Sequence, residues 1–159
     1  MRLIGGFSDE IGLGEVLAAP YGMRLRQGRS FREPDILFVA TAHRNRLVGS
    51  AIEGPADLVI EIISDDSTVR DREEKFHEYQ EGGVPEYWIY DPRPGKERAD
   101  FHRRGLDGRF EPIVADSQGR MHSSVLPGFW LRIDWLSSEP RPLPKVALDA
   151  ILAELADGR

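Results

Sequence analysis

The sequence predicts an α/β domain, a central mixed β-sheet with helices on its flanks. Three observations point there. Residues 58–63 (Leu-Val-Ile-Glu-Ile-Ile) are an apolar run of strand length, as an interior strand should be. Residues 69–81 place Val69, Arg72, Phe76 and Tyr79 at steps of three and four, a helical stripe with one packed face. Residues 86–90 (Glu-Tyr-Trp-Ile-Tyr) form another strand-like run. Strand, helix and strand within so short a stretch make a βαβ crossover, so the two strands run parallel with a right-handed connection.

The remaining elements follow in chain order. Residues 15–19 and 22–26 are short extended segments around Pro20-Tyr21, and the second alternates apolar and basic residues, as a half-exposed strand does. Residues 35–40 open on an acid and continue as a buried strand, Ile-Leu-Phe-Val-Ala. Residues 41–56 are polar and end in Gly54-Pro55, the signature of a loop. The turn at 64–68 carries Ser67 and Thr68, good helix N-caps, and Thr68 with Asp71 is a variant of the capping box. Gly82-Gly83 stops the helix. Residues 99–103 and 109–114 predict a β-hairpin around Gly105–Gly108. Residues 126–130 (Leu-Pro-Gly-Phe-Trp) form a turn with bulky anchors, and residues 146–155 a short amphipathic helix.

A chain of 159 residues is expected to be one domain over 1–159. Its core would span about 14–92, and a C-terminal hairpin and helix would extend it over 93–159. No stretch has the ~18 apolar residues of a membrane span, and the first residues do not form a secretory signal. There is no cysteine, which excludes disulfides and thiolate chemistry and makes a cytoplasmic location the expectation. The net charge is −6. Residues 51–91 hold three basic and twelve acidic residues, a balance of −9, whereas Arg24, Arg26, Arg29, Arg32, Arg44 and Arg46 crowd one short stretch. That arginine-rich edge is either a solvated surface or a place for a polyanion, with Arg24, Arg26, Arg29 and Arg32 as candidate phosphate contacts.

Glu61 stands in the middle of the most apolar strand. A buried carboxylate costs several kcal/mol unless something compensates it. Asp35, at the mouth of the earlier strand, and Lys75, beside the apolar stripe of the helix, are the candidate partners. Each has a plainer reading alone. Asp after Pro is common turn chemistry, and a helical lysine can pack its stem while its amine reaches water. Together they make hard oxygen ligands beside one positive charge, a set that suits Mg²⁺ or Mn²⁺ and phosphoryl chemistry.

These residues resemble a known pattern. Pro34-Asp35, then Glu61-Ile62-Ile63, then Lys75 on the next helix is similar to the PD-(D/E)XK nuclease superfamily, with the lysine moved from the position of Ile63 to the helix. Residues 55–64, Arg70-Asp71 to Lys75 and Tyr79, residues 83–92 and residues 126–131 resemble the Uma-type restriction endonuclease family. The resemblance runs from about Gly14 to Trp135. It implies a restriction-endonuclease-like core in which Asp35, Glu61 and the backbone carbonyl of Ile62 bind Mg²⁺ (or Mn²⁺). Lys75 would be the catalytic lysine and Tyr79 a supporting residue. DNA would be the substrate and a homodimer the assembly.

The front of the chain departs from that pattern. Residues 1–13 are too few for both the helix and the hairpin with which such proteins begin. The expectation is an abbreviated N-terminus, an uncovered sheet face and self-association over it. Glu10 and Glu15 are candidates for an acid that the first helix supplies in related nucleases.

No histidine among His43, His77, His102 and His122 has zinc-site spacing, and no GxSxG, Walker A or GxGxxG element is present. Two other functions remain beside a metal-dependent endodeoxyribonuclease. One is a catalytically inactive nuclease-like fold that binds DNA or protein. The other is an inactive fragment held together by self-association.

Overall fold

The structure, a computed structural model, describes residues 1–26, 29–65 and 69–157, with the side chains of Arg26, Arg29, Ser30, Arg70 and Asp71 outside the description. The capping role expected of Ser67 and Thr68 also lies outside the described residues.

The chain runs α1 (Arg2–Ile11), β1 (Gly14–Ala18), β2 (Gly22–Arg26), β3 (Arg29–Arg32), β4 (Ile36–Ala40), β5 (Leu47–Val48), β6 (Ala51–Glu53) and β7 (Leu58–Ile62). It continues through α2 (Val69–Gly82), β8 (Glu86–Asp91), β9 (Arg98–Arg104), β10 (Phe110–Pro112), β11 (Arg120–His122), β12 (Trp130–Arg132) and α3 (Pro144–Asp157). The main sheet has six strands in the order β1-β4-β7-β8-β9-β10. β7 and β8 pair in parallel across the α2 crossover, as the βαβ spacing predicts, while β4 pairs antiparallel with β7 on the other side. The sheet is therefore mixed, and its central strand has one neighbour of each sense. The β9–β10 hairpin extends it antiparallel.

Strand alternation sorts the core into two sides. Ile36 and Phe38 of β4, Leu58 and Ile60 of β7, and Trp88 of β8 pack with Ile4 and Phe7 of α1 and Ile151 of α3. Leu37, Val39, Val59 and Tyr87 point the other way and pack with Tyr79 of α2 and with Met23, Leu25 and Ile52. Those last three belong to a second sheet of order β3-β2-β6-β5.

Two expectations are corrected here. The stretch 41–56 is not a plain loop. It contains a 3₁₀ turn (Thr41–Arg46), β5 and β6, and β6 adds to β2 in parallel. β6 has only Ile52 to bury, too few residues for a period-two signal. The front of the chain is also not bare. Leu3, Ile4, Phe7 and Ile11 recur at helical spacing, and α1 forms despite Gly5-Gly6. Gly6 serves close packing, since a Cβ there would lie 3.0 Å from Leu148 of α3. Gly12, in the left-handed region at φ 71°, ends the helix, and its N–H donates to the Ser8 carbonyl. No hairpin precedes β1 among the described residues. The α1–α3 pair covers the sheet face that was expected to be open, leaving an apolar groove of about 270 Å³ beside Met1, Ile62 and Leu136.

α1 is thus an integral part of the core. Phe7 is fully buried and meets Phe129 edge-on at 5.2 Å. Phe7→Ala should cost roughly 3–5 kcal/mol, measured by urea denaturation. A cost near zero would mean that α1 is not docked in solution.

Candidate active site

The register of the sheet assembles the site. β4 and β7 pair with Ile36 opposite Ile60 and Leu37 opposite Val59. One more step along both strands sets Asp35 across from Glu61. By the same alternation both face α2, on the side of Leu37, Val39 and Val59. Like charges directly opposite on neighbouring strands repel, so this pair needs a nearby cation.

α2 supplies one. Lys75 donates to Glu61 Oε2 at 3.0 Å, and the Tyr79 hydroxyl donates to Glu61 Oε1 at 2.7 Å. Lys75 and Tyr79 are four residues apart and so project from one face of the helix. Glu61 is 5% exposed and Tyr79 fully buried. Asp35 is half-buried, and its Oδ2 accepts the Ile62 N–H at 2.6 Å. Asp35, Glu61, Ile62 and Lys75 line one cleft of about 160 Å³. The three charged residues chosen from sequence therefore meet at one place, with Tyr79 behind them.

The electrostatics are those of a carboxylate held in a dry place. Burial pushes the Glu61 carboxyl above its ordinary range, and the nearby Asp35 charge adds to that. The hydrogen bond from Tyr79 and the charge of Lys75 oppose it without cancelling it. Burial and the Glu61 charge together raise the Tyr79 phenol, which stays protonated as a donor.

Other expectations sit elsewhere. Arg24 pairs with Glu53 on β6, and Arg32 Nε donates to Glu78 Oε2 of α2 at 2.5 Å. Neither lines the cleft. The side chains of Arg26 and Arg29 lie outside the described residues. Glu15 pairs with Arg44 at 2.6 Å, and neither Glu10 nor Glu15 lines the cleft. Glu33, Ser64 and Arg72 do line it, and sequence reasoning did not choose them as site residues. The signals were there: Glu33 lies two residues before Asp35 and shares its strand parity, and Arg72 lies one turn before Lys75.

Among the described residues no three His, Cys, Asp or Glu side chains form a metal-holding group. Asp35 and Glu61 lie opposite each other in the cleft, with Glu33 also on its lining, and Mg²⁺ is commonly held by one or two carboxylates together with waters and substrate phosphate. The like-charged Asp35–Glu61 pair and its hard oxygens fit such an ion. They do not fit zinc, since the residues lining the cleft include no histidine and the chain has no cysteine.

The raised Glu61 carboxyl has a measurable consequence. Its folded-state pKa lies above the unfolded one, so the native protein binds that proton more tightly, and ionising Glu61 removes stability as pH rises through that window. Glu61→Gln should match or exceed wild-type stability at ~pH 8, with the gap closing toward ~pH 4. Lys75→Ala should lose roughly 1–3 kcal/mol at neutral pH because it strands a buried charge, and part of the loss should return on acidification. Urea melts across pH test both. Glu61→Gln less stable than wild type at alkaline pH, or a Lys75→Ala deficit that does not change with pH, would contradict this account.

Among curated proteins no sequence matches the chain. A crystal structure from Anabaena variabilis, described as "a putative nuclease belonging to DUF820", superposes with a TM-score of 0.67 at 17% identity, over 84% of this chain and 73% of that one. At that identity it supports the fold alone, a mixed α/β nuclease-like architecture. The family model described as "Putative restriction endonuclease" (Uma2) matches residues 1–134, a span that includes α1, the whole cleft and β12. The chain belongs to the Uma2 family.

Proposed function

We infer that the protein is a divalent-metal-dependent endodeoxyribonuclease that hydrolyses phosphodiester bonds at the Asp35–Glu61–Lys75 cleft. One observation carries the reading: a buried carboxylate, Glu61, lies opposite a second carboxylate and is ion-paired to a helical lysine. Such an arrangement costs folding energy, and membership of a family described as "Putative restriction endonuclease" supports a catalytic reason for it.

In this reading Asp35 and Glu61 hold Mg²⁺ or Mn²⁺, with the Ile62 carbonyl as a further oxygen ligand. The ion would supply Lewis-acid polarisation of a phosphoryl oxygen and neutralise negative charge on the substrate. The protein does the rest. The hydrogen bond from the Ile62 N–H fixes the Asp35 carboxylate. Tyr79 fixes one oxygen of Glu61 from below. Lys75, on the cleft wall, would orient the attacking water and offset the charge that grows on the phosphate as the bond to the leaving sugar oxygen breaks. The burial of Glu61 and Tyr79 keeps water from the floor of the cleft, which strengthens each of these interactions.

A catalytically inactive module that binds DNA or protein is the second reading. It is favoured by the ligand count: among the described residues no third His, Cys, Asp or Glu joins Asp35 and Glu61 in a metal-holding group. The family resemblance also implies a homodimer, which sedimentation tests; a monomer at micromolar concentration would remove it. No helix among the described residues is long and apolar enough to cross a membrane, and a cytoplasmic location would suit DNA as substrate.

Plasmid nicking with added Mg²⁺ or Mn²⁺ separates the two readings. Wild type should cleave, and Asp35→Ala, Glu61→Ala and Lys75→Ala should each lose roughly 100-fold or more. Added ion should also raise the melting temperature, since a ligand of the native state stabilises it, and Asp35→Ala and Glu61→Ala should abolish that rise. Salt-sensitive DNA binding with no cleavage under either ion would establish the inactive module.

A further inference from the structure

The cleft holds two cations in different situations. Lys75 is tied to Glu61. Arg72, one turn earlier on α2, is half-buried and lines the same cleft, yet its guanidinium makes no hydrogen bond or ion pair with any described residue. Apart from Arg2, every other arginine whose side chain is described has a carboxylate, carbonyl or hydroxyl partner. The Arg72 charge is felt at Asp91, but that carboxylate is held at about 2 chiefly by the side-chain hydrogen bond from Arg93 and is already engaged.

Arg72 is also costly where it stands. It is the fourth residue of α2, and a cation in the first turn opposes the helix macrodipole. A guanidinium carries five N–H donors, and partial burial strips water from them with no replacement among the described residues. The side chain has room for an acceptor that the described residues do not supply.

We propose that Arg72 is the phosphate-binding residue of this cleft, its planar fork gripping the non-bridging oxygens of the DNA phosphodiester beside Lys75. This deepens the nuclease reading and rests on it. Glu33, Asp35 and Glu61 give the cleft three carboxylates, which repel a phosphate, and the charge of Lys75 is committed to one of them. Arg72 supplies the uncommitted positive charge, and the guanidinium fork matches phosphate oxygens two at a time where an ammonium cannot. At a spacing of three residues, Arg72 and Lys75 are neighbours on the helix surface, roughly 5–6 Å apart at Cβ. A phosphate on Arg72 is therefore within reach of the group placed to orient its attacking water.

The test is binding of a short DNA duplex, followed by fluorescence anisotropy over a range of salt with Ca²⁺ in place of Mg²⁺, together with the nicking assay. Arg72→Ala should weaken binding about tenfold and lower the slope of log affinity against log salt by about 1. Arg72→Lys should restore the slope and only part of the affinity and cleavage rate. Both variants should keep the wild-type rise in melting temperature with Mg²⁺, since Arg72 holds no ion. Wild-type affinity, slope and cleavage in Arg72→Lys and Arg72→Ala would overturn the proposal while leaving the nuclease reading standing, provided Glu61→Ala stays inactive. If Arg72→Ala fails to fold, Arg72→Lys alone decides: full wild-type affinity and rate overturn the proposal. A wild-type protein that shows no salt-sensitive binding would overturn both.

Discussion

A carboxylate buried inside a β-sheet has few stable environments, and the environment of Glu61 organises much of this molecule. One oxygen takes the Tyr79 hydroxyl and the other the Lys75 ammonium, so both partners come from α2. The helix is thereby fixed in rotation and in height against β7. A slide of one residue would turn both donors away and leave an uncompensated charge. Tyr79 also meets Tyr87 of β8 edge-on at 5.1 Å, which adds aromatic packing to the same docking. Polar and apolar contacts thus specify a single position for the helix.

The two sides of the central sheet carry different tasks. The side under α1 and α3 is apolar over the central strands, with Ile4, Phe7, Phe38, Leu58, Trp88 and Phe129 in one cluster. The side under α2 and the second sheet combines aliphatic packing with the charged cleft at the ends of β4 and β7. Because side chains alternate along a strand, neighbouring residues serve both sides. Ile60 joins the apolar cluster while Glu61, one residue later, joins the cleft. Two other buried carboxylates, Glu86 and Asp57, are satisfied structurally. Glu86 accepts Trp88 Nε1 and both the N–H and hydroxyl of Ser124, and Asp57 accepts the Ala40 N–H and His43 Nδ1. Those carboxylates are met by protein donors, whereas the cleft also holds an arginine, Arg72, with no acceptor among the described residues.

Much of this was legible in the sequence, for identifiable reasons. Glu61 announced itself because an apolar run makes one charge conspicuous, and Lys75 and Tyr79 because helical spacing put them on the packed face. β4, β7, α2 and β8 are strongly periodic or uniformly apolar, and each lies where the pattern placed it to within a residue or two. α1 was hidden by length: residues 1–13 are too few for both a helix and a hairpin, and the chain forms the helix alone, with Leu148 packed against Gly6. β5 and β6 were hidden because strands of two and three residues carry no period. The fate of the arginines could not be read from composition. Arg24 and Arg32 find carboxylates far away in the chain, and only tertiary contact reveals which of the described arginines remain without one.

The β9–β10 hairpin lies late in the chain, beyond the residues that form the cleft. It nevertheless holds the far end of α2: the Phe110 N–H donates to the Gln80 side chain, and the Arg104 guanidinium donates to the Gln80 carbonyl. Gln80 directly follows Tyr79, so the hairpin braces the helix that carries Lys75. The smallest working unit of this protein therefore cannot stop where the last cleft residue does. It must run at least through Pro112, and alterations in that distant ribbon would be felt at the carboxylates as a change in how firmly the lysine is held.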